Sequence, residues 1–142
     1  MTYADKIDEL MKGFKMALEF AGFYEDETPE ECEYSEEAEK AIDNLCKAFY
    51  ATCTHKLGLY LEALPDQYHA DVGSHLAGVG CDLYYTIAGH GVGFWDGDYK
   101  EYGDTLTEVC QEICYYLELE IGDDNLIYIY YTNNKDEGLR GL

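Results

Sequence analysis

Residues 80–98 read GCDLYYTIAGHGVGFWDGD, and we take this stretch as the one that decides the fold. Residues 83–87 form a short aromatic and β-branched run, which predicts a strand. Glycines flank His90 on both sides and favour a tight reversal, because glycine readily adopts positive φ. Residues 92–95 form a second apolar run, closed by an acidic turn. The pattern predicts a compact hairpin that presents Trp95, the one tryptophan of the chain.

The sequence before this hairpin predicts two or three helices. Thr2 favours a cap for the first of them. A second helix begins either at Thr28, which is followed by proline and glutamates, or at Ser35. Its apolar stripe is predicted to extend through Tyr60, Leu61 and Leu64, with Gly58 as a candidate break. Pro65 then opens a short helix or turn. The predicted core stripe consists of Ala38, Ala41, Ile42, Leu45, Phe49, Cys53 and Leu57.

The sequence after the hairpin predicts one helix followed by strands. Gly78 and Gly80 are expected to introduce the hairpin, and the periodic apolar residues of 104–117 predict the helix. Residues 118–121 and 126–131 predict two strands joined by an acidic turn. We therefore expect an α+β fold, with N-terminal helices packed on a small, mainly antiparallel sheet and one helix inserted before the last strands.

Composition indicates a folded, strongly acidic protein. The chain has 142 residues, of which 47% are hydrophobic and 15 are tyrosine, which suits a single domain spanning residues 1–142. Within it, residues 1–76 are mainly helical and acidic, and residues 80–131 hold the hairpin, helix and strands. The 30 acidic and 9 basic residues give a net charge of −21. This charge disfavours direct binding to nucleic acid or to anionic membranes and favours partners with basic surfaces.

The cysteines and the N-terminal sequence predict a cytoplasmic protein. The six cysteines do not form CxxC pairs, and charged residues interrupt any N-terminal apolar run that would resemble a signal peptide. We interpret the cysteines as reduced and mostly buried thiols, with a secreted disulfide framework as the minor alternative.

The second half of the chain carries an ordered run of short motifs over about residues 80–131. The matching residues are Gly89, His90, Gly91, Gly93, Phe94, Trp95 and Asp96, then Gly103, Asp104, Thr105, Leu106 and Thr107, then Gly122, Asp123 and Asp124, followed by Ile127 and Tyr128. This run resembles a family of small phage-encoded proteins of unassigned function, in which a Gly-His-Gly-x-Gly-Phe-Trp-Asp motif follows a strand. The resemblance implies a phage or prophage origin and little about mechanism, and it places the predicted location in the cytoplasm of the host cell. We interpret the first motif as fold-defining. The chain departs from the family at Gly97, where arginine is usual, and at residues 81–84.

His90 has three candidate roles. It lies near several aspartates in the sequence and is a candidate general base or metal ligand, whereas a histidine in a tight turn commonly holds that turn by hydrogen bonds to the backbone. Asp96 and Asp98 resemble the start of a calcium loop, but the later ligands of such a loop are absent. The run of Asp123, Asp124 and Asn125 also has too few ligands and is interpreted as a turn. We therefore predict no metal site and no cofactor.

The acidic window of residues 25–39 is either a solvated surface or a mimic of nucleic-acid phosphates. We favour mimicry and predict a nonenzymatic, phage-encoded inhibitor of a basic host protein that binds DNA or RNA, of the anti-restriction or anti-CRISPR type. The sequence is also compatible with a homodimer. The predicted partner-binding residues are Glu25, Asp26, Glu27, Glu30, Glu31, Glu33, Glu36, Glu37, Asp96, Asp98 and Glu101.

Two alternatives remain at this stage. The first is a small enzyme or ligand-binding protein with a pocket around His90, Trp95 and Asp96. The second is a phage housekeeping protein whose acidity reflects only the salt-rich cytoplasm of its host.

Overall fold

A computed structural model describes residues 2–21, 32–63, 73–88, 94 and 102–133. It contains four helices and a three-stranded mixed sheet, so the predicted α+β class is confirmed. The elements in chain order are α1 (Tyr3–Ala21), β1 (Glu33–Tyr34), α2 (Glu36–Ala63), α3 (His75–Ala88), α4 (Gly103–Ile113), β2 (Tyr116–Ile121) and β3 (Leu126–Thr132).

Helix α1 begins with the cap predicted at Thr2. The Asp5 backbone N–H donates to Thr2 Oγ1, and the Thr2 N–H donates back to the Asp5 carboxylate, each at 3.1 Å. These reciprocal bonds satisfy donors that a helix start otherwise leaves without a partner. The residues of α1 that face the core recur at helical spacing: Ile7, Leu10, Phe14, Ala17 and Leu18.

Helix α2 begins after Ser35, whose hydroxyl accepts the Ala38 N–H at 3.0 Å. The alternative start at Thr28 lies outside the described residues. All seven residues of the predicted core stripe are buried. The helix is irregular at Cys53 (φ −122°, ψ 19°) and passes through Gly58 as helix, so the predicted position of the break was wrong. The Cys53 thiol donates to the Phe49 carbonyl at 3.0 Å, and such back-bonding often accompanies a bend.

Helix α3 corrects the predicted hairpin, because residues 83–87 are helical and not a strand. The Ser74 hydroxyl accepts the Ala77 N–H at 3.0 Å and caps the helix start. Leu76, Val79 and Leu83 then recur at helical spacing and are buried against the rest of the core. Packing therefore overrides the β propensity of the aromatic run, which reflects fit to a pleated surface more than a backbone preference.

Glycines let α1 and α3 approach closely. A Cβ on Gly13 would lie 1.7 Å from the Ala77 carbonyl oxygen, and one on Gly80 would lie 2.1 Å from the Leu10 carbonyl oxygen. Gly78 and Gly80 therefore do not introduce a hairpin, because both are buried inside α3. Beside this contact the ring of Phe14 packs edge-on against Tyr84, with centroids 5.2 Å apart.

The sheet has the order β1-β3-β2, with β2 antiparallel and β1 parallel to β3. Both predicted strands after α4 are confirmed, and the turn between them holds Asn125 at positive φ (64°). Strand β1 was not predicted. Its end joins β3 through a 3.0 Å bond from the Ser35 N–H to the Ile127 carbonyl. Residues 33–35 of the acidic window are thereby held beside the last described strand.

Candidate functional site

The structure describes three of the predicted partner-binding residues. Glu33, Glu36 and Glu37 are exposed where β1 leads into α2. The other eight lie outside the described residues, as do His90 and Trp95: Glu25, Asp26, Glu27, Glu30, Glu31, Asp96, Asp98 and Glu101. From the Gly-His-Gly motif the structure describes Phe94 alone.

The side of the sheet that faces away from the core carries carboxylates and tyrosines. On β2, Glu118 and Glu120 are exposed and alternate with half-buried Leu117 and Leu119. Register pairs Glu118 with Tyr130 and Glu120 with Tyr128, so these four side chains share one face. Glu33 pairs with Leu126 and belongs to the same face. We call Glu33, Glu118, Glu120, Tyr128 and Tyr130 the outer sheet face.

The turn that joins β2 and β3 adds two carboxylates at one end of the outer sheet face. Asp124 accepts a hydrogen bond from the Tyr128 hydroxyl and another from the Leu126 N–H at 3.0 Å. Both bonds lower the pKa of Asp124, and the bond from Tyr128 contributes most. The hydrogen bond to Asp124 in turn raises the pKa of Tyr128 to about 12. Asp123 and Asp124 line an open depression of about 340 Å³ with Glu120 and the two tyrosines.

The carboxylates of the outer sheet face have no described counterion. The ion pairs within the described residues are Lys15–Glu39 at 2.7 Å and Lys47–Asp43 at 2.8 Å. Lys15 also lies 4.9 Å from the ring centroid of Tyr34, which packs on the core side of the sheet. Glu37, at the start of α2, is close enough to Tyr128 to help raise the pKa of that hydroxyl. The face therefore presents concentrated negative charge to solvent.

A cavity of about 730 Å³ lies between α3 and α4. Thr86 on its wall accepts the Phe94 N–H at 3.2 Å, and the Phe94 ring is fully buried and stacked on Phe49 with centroids 5.5 Å apart. Phe94 is thereby anchored to the core beside this cavity. The other residues that line the cavity are Ile87, Thr107, Cys110, Gln111, Cys114 and Tyr115.

The cysteines near this cavity are poor nucleophiles. Burial raises the pKa of Cys53 to about 12 and that of Cys114 to about 12, and it also raises the pKa of Cys110. Thiols with such values stay protonated near neutral pH, whereas the thiolate is the reactive form. The prediction of mostly buried thiols is confirmed, since Cys46 is buried as well.

The described part of the chain offers no cluster of three or more His, Cys, Asp or Glu residues arranged to hold a metal ion. It also contains no helix that is long and apolar enough to cross a membrane.

Comparison with protein-family models, curated proteins and solved structures finds no match to this chain. The resemblance to phage proteins over residues 80–131 therefore stays a prediction that rests on the quoted motifs.

Sequence reasoning missed the role of β2 in the candidate site. Residues 116–121 read YLELEI, in which leucine and glutamate alternate with the period of a strand. That alternation places both glutamates on one face, and it is the sequence signal that identifies β2 as part of an acidic surface. The contribution of Glu33 to the same face had no local signal, because it depends on pairing with β3.

Proposed function

We propose that this protein is a nonenzymatic inhibitor, encoded by a phage, that binds a basic nucleic-acid-binding protein of the host through its carboxylates. The observation that carries the proposal is the outer sheet face, which presents Glu33, Glu118 and Glu120 without a described counterion. A host restriction enzyme or CRISPR effector has a basic cleft of the kind that would accept such a surface in place of DNA.

The spacing and composition of the face support charge-based recognition. Glu118 and Glu120 are two residues apart on a strand, so their Cα atoms are separated by about 6.8 Å. The exposed ring of Tyr130, 52% accessible, adds contact area at low entropic cost. The net charge of −21 would speed association with a basic partner and make binding sensitive to salt.

The test is capture of proteins from a bacterial host lysate on the immobilised protein, eluted with a salt gradient and, separately, with duplex DNA. We expect a DNA- or RNA-binding protein that elutes as salt screens the charges and that DNA displaces. A variant of the outer sheet face, in which Glu33, Glu118, Glu120 and the neighbouring Glu37 are changed to lysine, should lose this capture.

A matched control changes four exposed carboxylates elsewhere to lysine and has the same net charge: Asp8, Glu62, Glu108 and Glu112. It should retain most of the capture. If the variant of the outer sheet face retains the same protein as strongly as the control does, the mimicry proposal is wrong.

The cavity between α3 and α4 favours a second candidate function, which is binding of a small molecule beside Phe94. Its volume of about 730 Å³ is within the usual range of ligand sites, and its wall offers the amide of Gln111. The hydroxyls of Thr86 and Thr107 also line it, but they already donate to the Asp82 and Gly103 carbonyls. A small molecule retained by the purified protein, with no basic protein captured, would favour this function over inhibition.

A further inference from the structure

The sheet has an open edge along β2. This strand ends the order β1-β3-β2, so within the described residues only one of its edges is paired. The Gly122 N–H donates to the Leu126 carbonyl at 2.9 Å, which sets the phase of the antiparallel ladder. Because bonded and non-bonded pairs alternate, Glu118 and Glu120 direct their backbone groups to β3. The residues that direct theirs to the open edge are Leu117, Leu119 and Ile121.

The two sides of this edge differ in chemistry. Glu118 and Glu120 are exposed on the outer side, whereas Leu117 and Leu119 pack against the core on the inner side. A row of backbone N–H and C=O groups at a sheet edge is a template for another strand. A strand added here would place alternate side chains beside glutamates and beside leucines.

Charge determines which strand fits. A second copy of β2 paired antiparallel would place glutamates opposite glutamates, and like charges directly opposite each other are destabilising. A segment with lysine or arginine on its outer side would instead place cations beside Glu118 and Glu120. Apolar residues on its inner side would extend the surface formed by Leu117 and Leu119.

We propose that the β2 edge binds an extended segment of a partner protein, in which Lys or Arg alternates with apolar residues, as a fourth strand of the sheet. This rests on the proposed function, because it specifies which part of a basic partner the acidic surface takes. The six residues of β2 span about 20 Å, which is enough for a segment of about six residues.

The probe is the blocked, fluorescently labelled heptapeptide Lys-Val-Lys-Val-Lys-Val-Lys, titrated with the full chain. Two further peptides carry N-methyl groups, one on the valine amides and one on the lysine amides, so that side chains and charges are unchanged. We expect one methylated peptide to bind about tenfold more weakly than the parent and the other to bind like it. Weaker binding of the peptide methylated on its valine amides indicates that the added strand is antiparallel to β2. Weaker binding of the peptide methylated on its lysine amides indicates that it is parallel.

A second readout follows the amides of the edge itself. Hydrogen exchange at the Leu117, Leu119 and Ile121 amides should slow by about tenfold when the parent peptide is bound. Exchange at the Glu118 and Glu120 amides should change less, because these amides already bond to β3. Ile121→Pro removes one edge donor and should weaken binding of the parent peptide, and Ile121→Val, which keeps the N–H, should not.

Three outcomes would overturn the edge proposal. In the first, all three peptides bind equally and edge exchange is unchanged, which leaves charge-based capture by the outer sheet face intact. In the second, the parent peptide does not bind, whether or not a basic protein is retained from lysate. In the third, edge exchange slows with protein concentration alone, which assigns the edge to a second copy. If no basic protein is captured from lysate but the parent peptide binds and one methylated peptide does not, the inhibitor function is wrong and the edge proposal is supported.

Discussion

The interface between α1 and α3 and the outer sheet face show opposite uses of side chains. At the interface, Gly13 and Gly80 have no side chain, and the two helix backbones come close enough that no Cβ would fit. On the outer sheet face, long side chains such as Glu118 and Glu120 extend from the sheet into solvent. The helix interface therefore leaves no space for an added side chain, whereas the exposed glutamates of the outer sheet face can be changed with little loss of packing.

This difference indicates where stability and recognition reside. Close packing and burial of apolar surface supply most of the free energy of folding. The like charges of the outer sheet face add repulsion, which a chain of net charge −21 must offset elsewhere. The stability of the fold therefore resides in the helix interface, and binding through the carboxylates of the outer sheet face stays the proposal.

The largest expected effect is at the helix interface. Gly13→Ala places a Cβ at 1.7 Å from the Ala77 carbonyl oxygen, so the helices must separate, and we expect a loss of about 3 kcal/mol in the free energy of unfolding measured with urea. Gly58→Ala is the matched control, because no atom lies within 4 Å of its Cβ. It should gain about 0.5 to 1 kcal/mol from helix propensity. Equal stability of the two variants would refute the close packing described for α1 and α3.

A smaller effect is expected on the outer sheet face. The double variant Glu118→Gln, Glu120→Gln should change the free energy of unfolding by no more than about 0.5 kcal/mol, because both side chains are exposed. The midpoint of thermal unfolding should rise with sodium chloride in the parent protein, since salt screens the repulsion, and should rise less in the variant. A large destabilisation would mean that these glutamates are structural and would remove the contrast between the two regions.

The smallest effect concerns the turn beside this face. Tyr128→Phe removes the hydrogen bond that contributes most to lowering the Asp124 pKa, so that pKa should move up toward its ordinary value of 3.8. A carboxyl with a lowered folded pKa stabilises the fold above its ordinary pKa and loses that effect as pH falls through the folded value. The variant should therefore lose less stability than the parent on acidification below about pH 4. NMR titration of the Asp124 carboxyl carbon checks the shift, and an unchanged pKa would contradict the described bond.

The success of sequence reasoning depended on whether the signal was local. The caps at Thr2 and Ser35 and the acidic turn before β3 were predictable, because each is specified by residues within one turn of the chain. The run at residues 83–87 was assigned to a strand because its β propensity is equally local, but contact with α1 determines its conformation. Glycine at position 80 was equally ambiguous, since the same residue permits a reversal or a close helix contact.

The candidate site was only partly predictable for the same reason. The acidic window was recognised from composition, yet which of its members join the sheet depends on pairing between residues far apart in the chain. Glu33 meets Leu126 only in the folded structure. The glutamates of β2 were visible as an alternating pattern, but nothing in that pattern showed that Glu33 would share their face.

The position of β3 at the centre of the sheet has a consequence for synthesis on the ribosome. β3 is made after every other described element, yet both β1 and β2 pair with it. The helices can therefore associate as they emerge, whereas β1 has no strand to join until residues 126–132 have left the exit tunnel. Assembly of the carboxylate surface is thus a late event in translation, and an incomplete nascent chain cannot form it.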